Sequence, residues 1–162
     1  MYYYHDISTR LEPFNTPEEA YLAYEQGVAR MAEFRKKYNS VKNKAKRTEK
    51  YLVTMDEEHR RMSEHFIYNN VRLAENKFIL INKKLKRFKN EEERQCKKGL
   101  KALKNTNGMS PTTIHWYMSG VWHYLEKQRY LLAEWYDMLR IAKGHLQKVD
   151  DHMKYARKLR RF

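Results

Sequence analysis

From Ser110 to Arg161 the chain returns an apolar side chain at alternating steps of four and three residues. The row reads Ile114, Met118, Val121, Leu125, Gln128, Leu132, Trp135, Leu139, Ala142, Leu146, Val149, Met153 and Ala156, and in it Gln128 alone is polar. Steps of four and three keep returning to one side of a 3.6-residue helix. The row therefore predicts one long helix with an unbroken apolar seam. Ser110-Pro111 opens it with a hydroxyl N-cap and a proline in the first turn, where no backbone N–H is needed. A second row, Tyr117, Tyr124, Leu131 and Met138, widens the seam. One partner helix cannot cover a stripe that wide, so the expected fold is all-α. It is an elongated antiparallel helical bundle or coiled coil of three long helices plus one short helix.

The rest of the chain supplies the partners. Thr16-Pro17-Glu18-Glu19 reads as a capping box. Ala20, Tyr24, Gly27, Met31, Phe34, Tyr38, Val41, Ala45, Thr48 and Leu52 then continue in the same register. Thr54-Met55-Asp56-Glu57 reads as a second capping box, ahead of a seam of Ile67, Val71, Ala74, Phe78, Ile81, Leu85 and Phe88. After Phe88 the apolar positions return one step late, at Cys96, Leu100 and Leu103. Asn90 before Glu91-Glu92-Glu93 resembles a fresh N-cap, so a break or kink is expected there. Asn105-Thr106-Asn107-Gly108 is the clearest turn. The chain reads as a single helical domain over 1–162, with an N-terminal arm over 1–15 and helices at about 17–50, 55–89, 91–104 and 111–161. The tyrosines at 2–4 and Phe14 are expected to pack on the bundle.

Charge decides which functions are worth considering. The net charge is +14, concentrated in residues 35–50, 77–104 and 143–161, while residues 1–34 are net acidic. Packed up, down, up, the helices would bring the first and third basic blocks together. Part of the middle block would lie near the acidic start of the first helix. Such blocks make polyanions the leading partners. A solvated lysine face is the plainer alternative. The expected nucleic-acid contacts are Lys42, Lys44, Lys46 and Arg47 in one cluster, and Lys83, Lys84, Lys86, Arg87, Lys89, Lys97, Lys98 and Lys101 in another. Trp116, Trp122, Tyr130 and Tyr136 lie off the main seam and would form a protein partner surface if exposed.

No Gly-rich phosphate loop and no Glu-x-x-His pair occurs. His145 and His152 stand two turns apart, too far for one ion, and read as seam-edge residues that could add positive charge below neutral pH. Cys96 sits beside Lys97 and Lys98, which could activate its thiol, or it fills a helix face as a small apolar group. No catalytic residue, metal ligand or cofactor is assigned, and no enzyme is expected. The one cysteine and the lack of a signal-like start or a long apolar run suggest a reducing compartment such as the cytoplasm, away from membrane.

One stretch carries a resemblance. Ala102-Leu103, then Gly108 and Ser110-Pro111-Thr112-Thr113-Ile114-His115-Trp116-Tyr117, resembles the turn and second helix of a helix-turn-helix. It is also similar to a segment of the core-binding domain of tyrosine recombinases. The resemblance implies DNA contacts at Thr112, Thr113, His115 and Trp116. The other reading of the same residues is an N-cap that opens a bundle helix. The leading expectation is thus a non-enzymatic basic protein binding nucleic acid mainly through phosphate. The alternative is a protein–protein module, a structural subunit or a small inhibitor or adaptor, with homo-oligomer formation left open.

Overall fold

A computed structural model describes residues 12–160, and every regular element in that range is helical. Helix α1 spans Pro17–Thr54 and α2 spans Glu57–Phe88. A π-helical turn, Lys89–Glu93, joins α2 to α3, Arg94–Leu103, and α4 spans Pro111–Arg160. The expectations for Tyr2 to Tyr4 and for residue 161 lie outside the described residues.

The starts of the helices follow their cap residues. The Thr16 hydroxyl accepts from the Glu19 N–H at 3.3 Å, and the Glu19 carboxylate accepts from the Asn15 N–H at 2.9 Å. Ser110 Oγ accepts from the Thr113 N–H at 3.2 Å. The second cap differs from the expected one. Asp56 caps α2, accepting from the His59 N–H at 3.0 Å, whereas the Thr54 hydroxyl donates back to the Tyr51 carbonyl at the end of α1. That carbonyl also accepts from the Met55 N–H at 3.1 Å, so the last turn is hydrogen-bonded twice over and α1 runs a turn past Lys50. Between α3 and α4, the Asn107 N–H donates to Asn105 Oδ1 at 3.2 Å, and Gly108 takes a left-handed φ of 82° that suits glycine.

The chain forms two compact units, one of residues up to Phe34 with Lys83–Tyr136, the other of Arg35–Asn82 with the residues from Asp137 onward. In each, three helical segments pack against one another. In the first unit α1 runs parallel to α4. Tyr24 meets Tyr124, and Phe34 meets Trp135 and Tyr136 at ring-centroid distances of 6.0 and 5.0 Å. The end of α2, the π turn and α3 run the other way along α4. Lys84 pairs with Glu134, Glu92 with Lys127, and Gly99 lies against Tyr117. In the second unit Lys44 pairs with Asp150 at 2.8 Å, and the Tyr38 hydroxyl donates to the Phe78 carbonyl at 3.2 Å. There the α2 segment again opposes α4, with Ser63 at His152 and Asn70 at His145.

The seams are the core. Leu125, Trp135, Leu146 and Val149 on α4, Phe34 on α1, and Ile67 and Ile81 on α2 are all buried. Gln128 is buried too, and both ends of its amide are engaged. Its N–H donates to the Gly27 carbonyl at 3.2 Å and its oxygen accepts from Arg30 at 3.4 Å. Gly27 makes the approach feasible, because a Cβ there would stand 2.9 Å from that amide oxygen and 2.7 Å from Leu125.

The late return of the seam after Phe88 has a different cause from the expected one. The backbone stays right-handed helical through Phe88 and Arg94, with no side-chain cap at either place, and Asn90 is exposed. No helix starts at Asn90. A π turn takes about one residue more than an α turn. It absorbs the extra residue, so Cys96, Leu100 and Leu103 come back to the core, all buried.

Candidate nucleic-acid interface

The π turn also decides which cations of the middle block are free. Each of its three glutamates holds one. Glu91 accepts from Arg87 at 3.2 Å, Glu92 pairs with Lys127, and Glu93 lies 3.9 Å from Lys97. Lys84 is tied to Glu134 across to α4. Lys83, Lys86, Lys89, Lys98 and Lys101 are exposed and form no such pair among the described residues. The sequence-predicted cluster therefore separates into three engaged cations, Lys84, Arg87 and Lys97, and five open ones, all in the first unit.

The other cluster divides in the same way within the second unit. Lys44 is held by Asp150, and Lys42 sits over the Tyr38 ring at 5.7 Å from its centroid. Lys46 and Arg47 are exposed.

Of the off-seam aromatics, Trp116 and Tyr130 are 68% and 64% exposed, while Trp122 is half-buried. Tyr136 is buried and cannot serve as partner surface. It flanks the seam on the side covered by α1, and Phe34 meets it edge-on. Phe14 from the arm lines a small cavity with Met118 and Trp122.

The helix-turn-helix geometry implied by the resemblance is not present. In that motif two helices cross at a steep angle over a turn of three or four residues. Here Glu92 reaches Lys127 and Gly99 reaches Tyr117, so the chain from the π turn through α3 lies alongside α4 in antiparallel fashion. Helices that crossed steeply would part after a single contact. Thr113 is spent on the cap, its hydroxyl 2.9 Å from Ser110 Oγ, while Thr112 and His115 are exposed.

Between α3 and α4 lies an open groove of about 930 Å³. Gly99, Gly120, Val121 and Tyr124 line it, with Trp116, Tyr117, Gln95, Lys98, Ser119 and His123 around them. Cys96 is at its base, and burial first, then the Glu93 charge, pushes its thiol up to about 12 despite Lys97. That is a packed thiol, not an activated one. Sequence reading missed the groove because its lining comes from two helices, whose offset no local pattern encodes.

In the second unit, one carboxyl and one imidazole are shifted from their ordinary values. The Glu75 carboxyl hydrogen-bonds Glu49, and that bond, with burial and the neighbouring charge, raises it from 4.5 to about 7. A raised acid holds its proton more tightly folded than unfolded. Its contribution is complete below pH 4.5 and is lost as pH rises through 7. The site is well solvated, so the change should be only about 1 kcal/mol. Glu75→Gln keeps the hydrogen bond without the charge. It should melt higher than the parent at pH 8 and no differently at pH 5. His145 acts in the opposite sense. Burial, then Lys148 and Lys77, hold its pKa below 6.5, so its contribution is lost as pH falls, and it takes up its charge at a lower pH than an ordinary histidine. Its ring lies 3.3 Å from Asn70 Oδ1, and His152 lies 2.9 Å from Ser63 Oγ.

Among the described residues no three His, Cys, Asp or Glu side chains cluster as metal ligands, and no helix is long and apolar enough to cross a membrane. Compared with known proteins, the chain matches no family model, no curated protein and no solved structure.

Proposed function

We propose that this chain is a non-enzymatic basic protein that binds nucleic acid mainly through phosphate contacts. Its helices would pack in coiled-coil fashion. The observation that carries the reading is the set of five open lysines, Lys83, Lys86, Lys89, Lys98 and Lys101, beside cations already held by glutamates. With 34 basic and 20 acidic residues, the chain has cations to spare after its own acids are paired. Phosphate requires cations that are not already neutralised. The buried single thiol suits a reducing compartment such as the cytoplasm.

The test is the salt dependence of binding. Each phosphate neutralised on duplex contributes a slope of about −0.9 in log affinity against log salt. Lys83→Ala with Lys86→Ala should flatten that slope by roughly two and weaken all sequences alike. Lys84→Ala with Arg87→Ala should flatten it less, because Glu134 and Glu91 already occupy those cations. Equal effects from the two pairs, or no binding at low salt, would remove the reading.

A protein–protein module is the second reading, favoured by exposed apolar side chains of the second unit. Val53, Met62 and Ile79 are 83%, 70% and 67% exposed. A defined oligomer or complex that persists at high salt would support it.

A further inference from the structure

We propose that the α3–α4 groove of the first unit seats an unstacked base of a single nucleic-acid strand against Trp116, with adjoining phosphates on Lys98 and Lys101. The proposal rests on the phosphate reading and adds the form of nucleic acid that is preferred.

Four observations converge on the groove. Trp116 is 68% exposed at its edge, and Tyr117 meets the indole edge-on at 5.0 Å. A large aromatic face left in water beside open lysines is the combination that strand-binding surfaces use, since every base has a π face to stack. The groove is open on its Gly120 side. A Cβ on Gly120 would meet no heavy atom within 4 Å, and one on Gly99 would come no closer than 3.7 Å. The two helices touch at Gly99, against Tyr117 and Val121, and leave space at the exposed Gly120. At about 930 Å³ the groove falls in the range of small-molecule sites. Its polar members, Gln95, Ser119 and His123, can donate to and accept from a base edge.

The charge is complementary as well. Glu92 is the acid of the lining, and Lys127 holds it. Lys98 lines the same groove without a carboxylate partner among the described residues, and Lys101 follows it on α3. An apolar partner helix would leave Lys98 and Gln95 facing nonpolar surface, whereas a phosphodiester backbone would satisfy them. Bases stacked in a duplex present only their edges, so only an unpaired base can offer its face to Trp116.

The experiment compares a short fluorescein-labelled oligothymidylate with a duplex of the same length, at fixed low salt. The parent protein should bind the strand more tightly, with quenching of tryptophan emission. Trp116→Ala should weaken strand binding about tenfold or more and leave duplex binding unchanged. Gly120→Leu, which fills the groove and favours helix, should do the same with an unaltered helical circular dichroism spectrum. Strand binding that survives both changes, while Lys83→Ala with Lys86→Ala weakens it, would overturn the base seat and leave the phosphate reading standing. A preference for duplex would also overturn the base seat. If neither form binds at low salt, both readings fall.

Discussion

Leu132→Asp should yield no folded protein. Leu132 lies on the α4 seam, 5% exposed, one turn from the fully buried Trp135. Truncation to alanine at such a site costs roughly 2–5 kcal/mol through lost transfer energy and the cavity left behind. Aspartate adds the cost of an unpaired charge in a low-dielectric interior, which is larger still. A domain of ordinary stability has only about 5–15 kcal/mol to lose. Circular dichroism and a thermal melt check the result directly. A Leu132→Asp protein with the parent's helical signal and melting temperature would refute the seam. Lys143→Asp, on the exposed face of the same helix, is the control and should fold.

The seams were legible because burial in a helical bundle is a local property of spacing. On α4 the predicted row from Met118 through Met153 is buried throughout, including Gln128. The caps at Thr16 and Ser110 were legible for the same reason, since a cap reaches only three residues. Tyr136 was misread because the seam of one helix does not say how far its neighbours wrap around it. Phe34 covers Tyr136, and the two are far apart in sequence.

The candidate interface was legible only as composition. Lysine clusters stand out in the sequence, but which lysines are open does not. Lys84 is neutralised by Glu134, fifty residues away, and Lys127 by Glu92. Such pairing depends on the offset between antiparallel helices, which no local pattern encodes. The resemblance to a helix-turn-helix failed on the same ground. Ser110-Pro111 marks a helix start correctly but carries no information on the angle to the helix before it.

The π turn separates the two kinds of information most sharply, and it supplies the other large expected effect. The late return of apolar residues after Phe88 was visible in the sequence. Asn90 with three glutamates made an N-cap the natural explanation, yet the helix continues and Asn90 is exposed. Asn90→Ala should therefore be neutral or slightly stabilising. Deleting Asn90 removes the residue that the wide turn absorbs. The Phe88 and Cys96 positions then fall seven apart, in the register of a plain α-helix, so Cys96, Leu100 and Leu103 stay in the core. The deletion should melt within a few degrees of the parent. Deleting Asn76 is the contrasting case. Asn76 is equally exposed but lies within regular α-helix. Its loss turns every later residue of α2 by about 100° relative to the earlier ones. Phe78, Ile81 and Phe88 would leave the core together, at a cost of several kcal/mol each. That protein should not fold. Two deletions of one exposed asparagine from the same continuous helical stretch thus have opposite expected outcomes. If the Asn90 deletion melts as low as the Asn76 deletion, the π turn is not a register device and the α3 seam is set by something else.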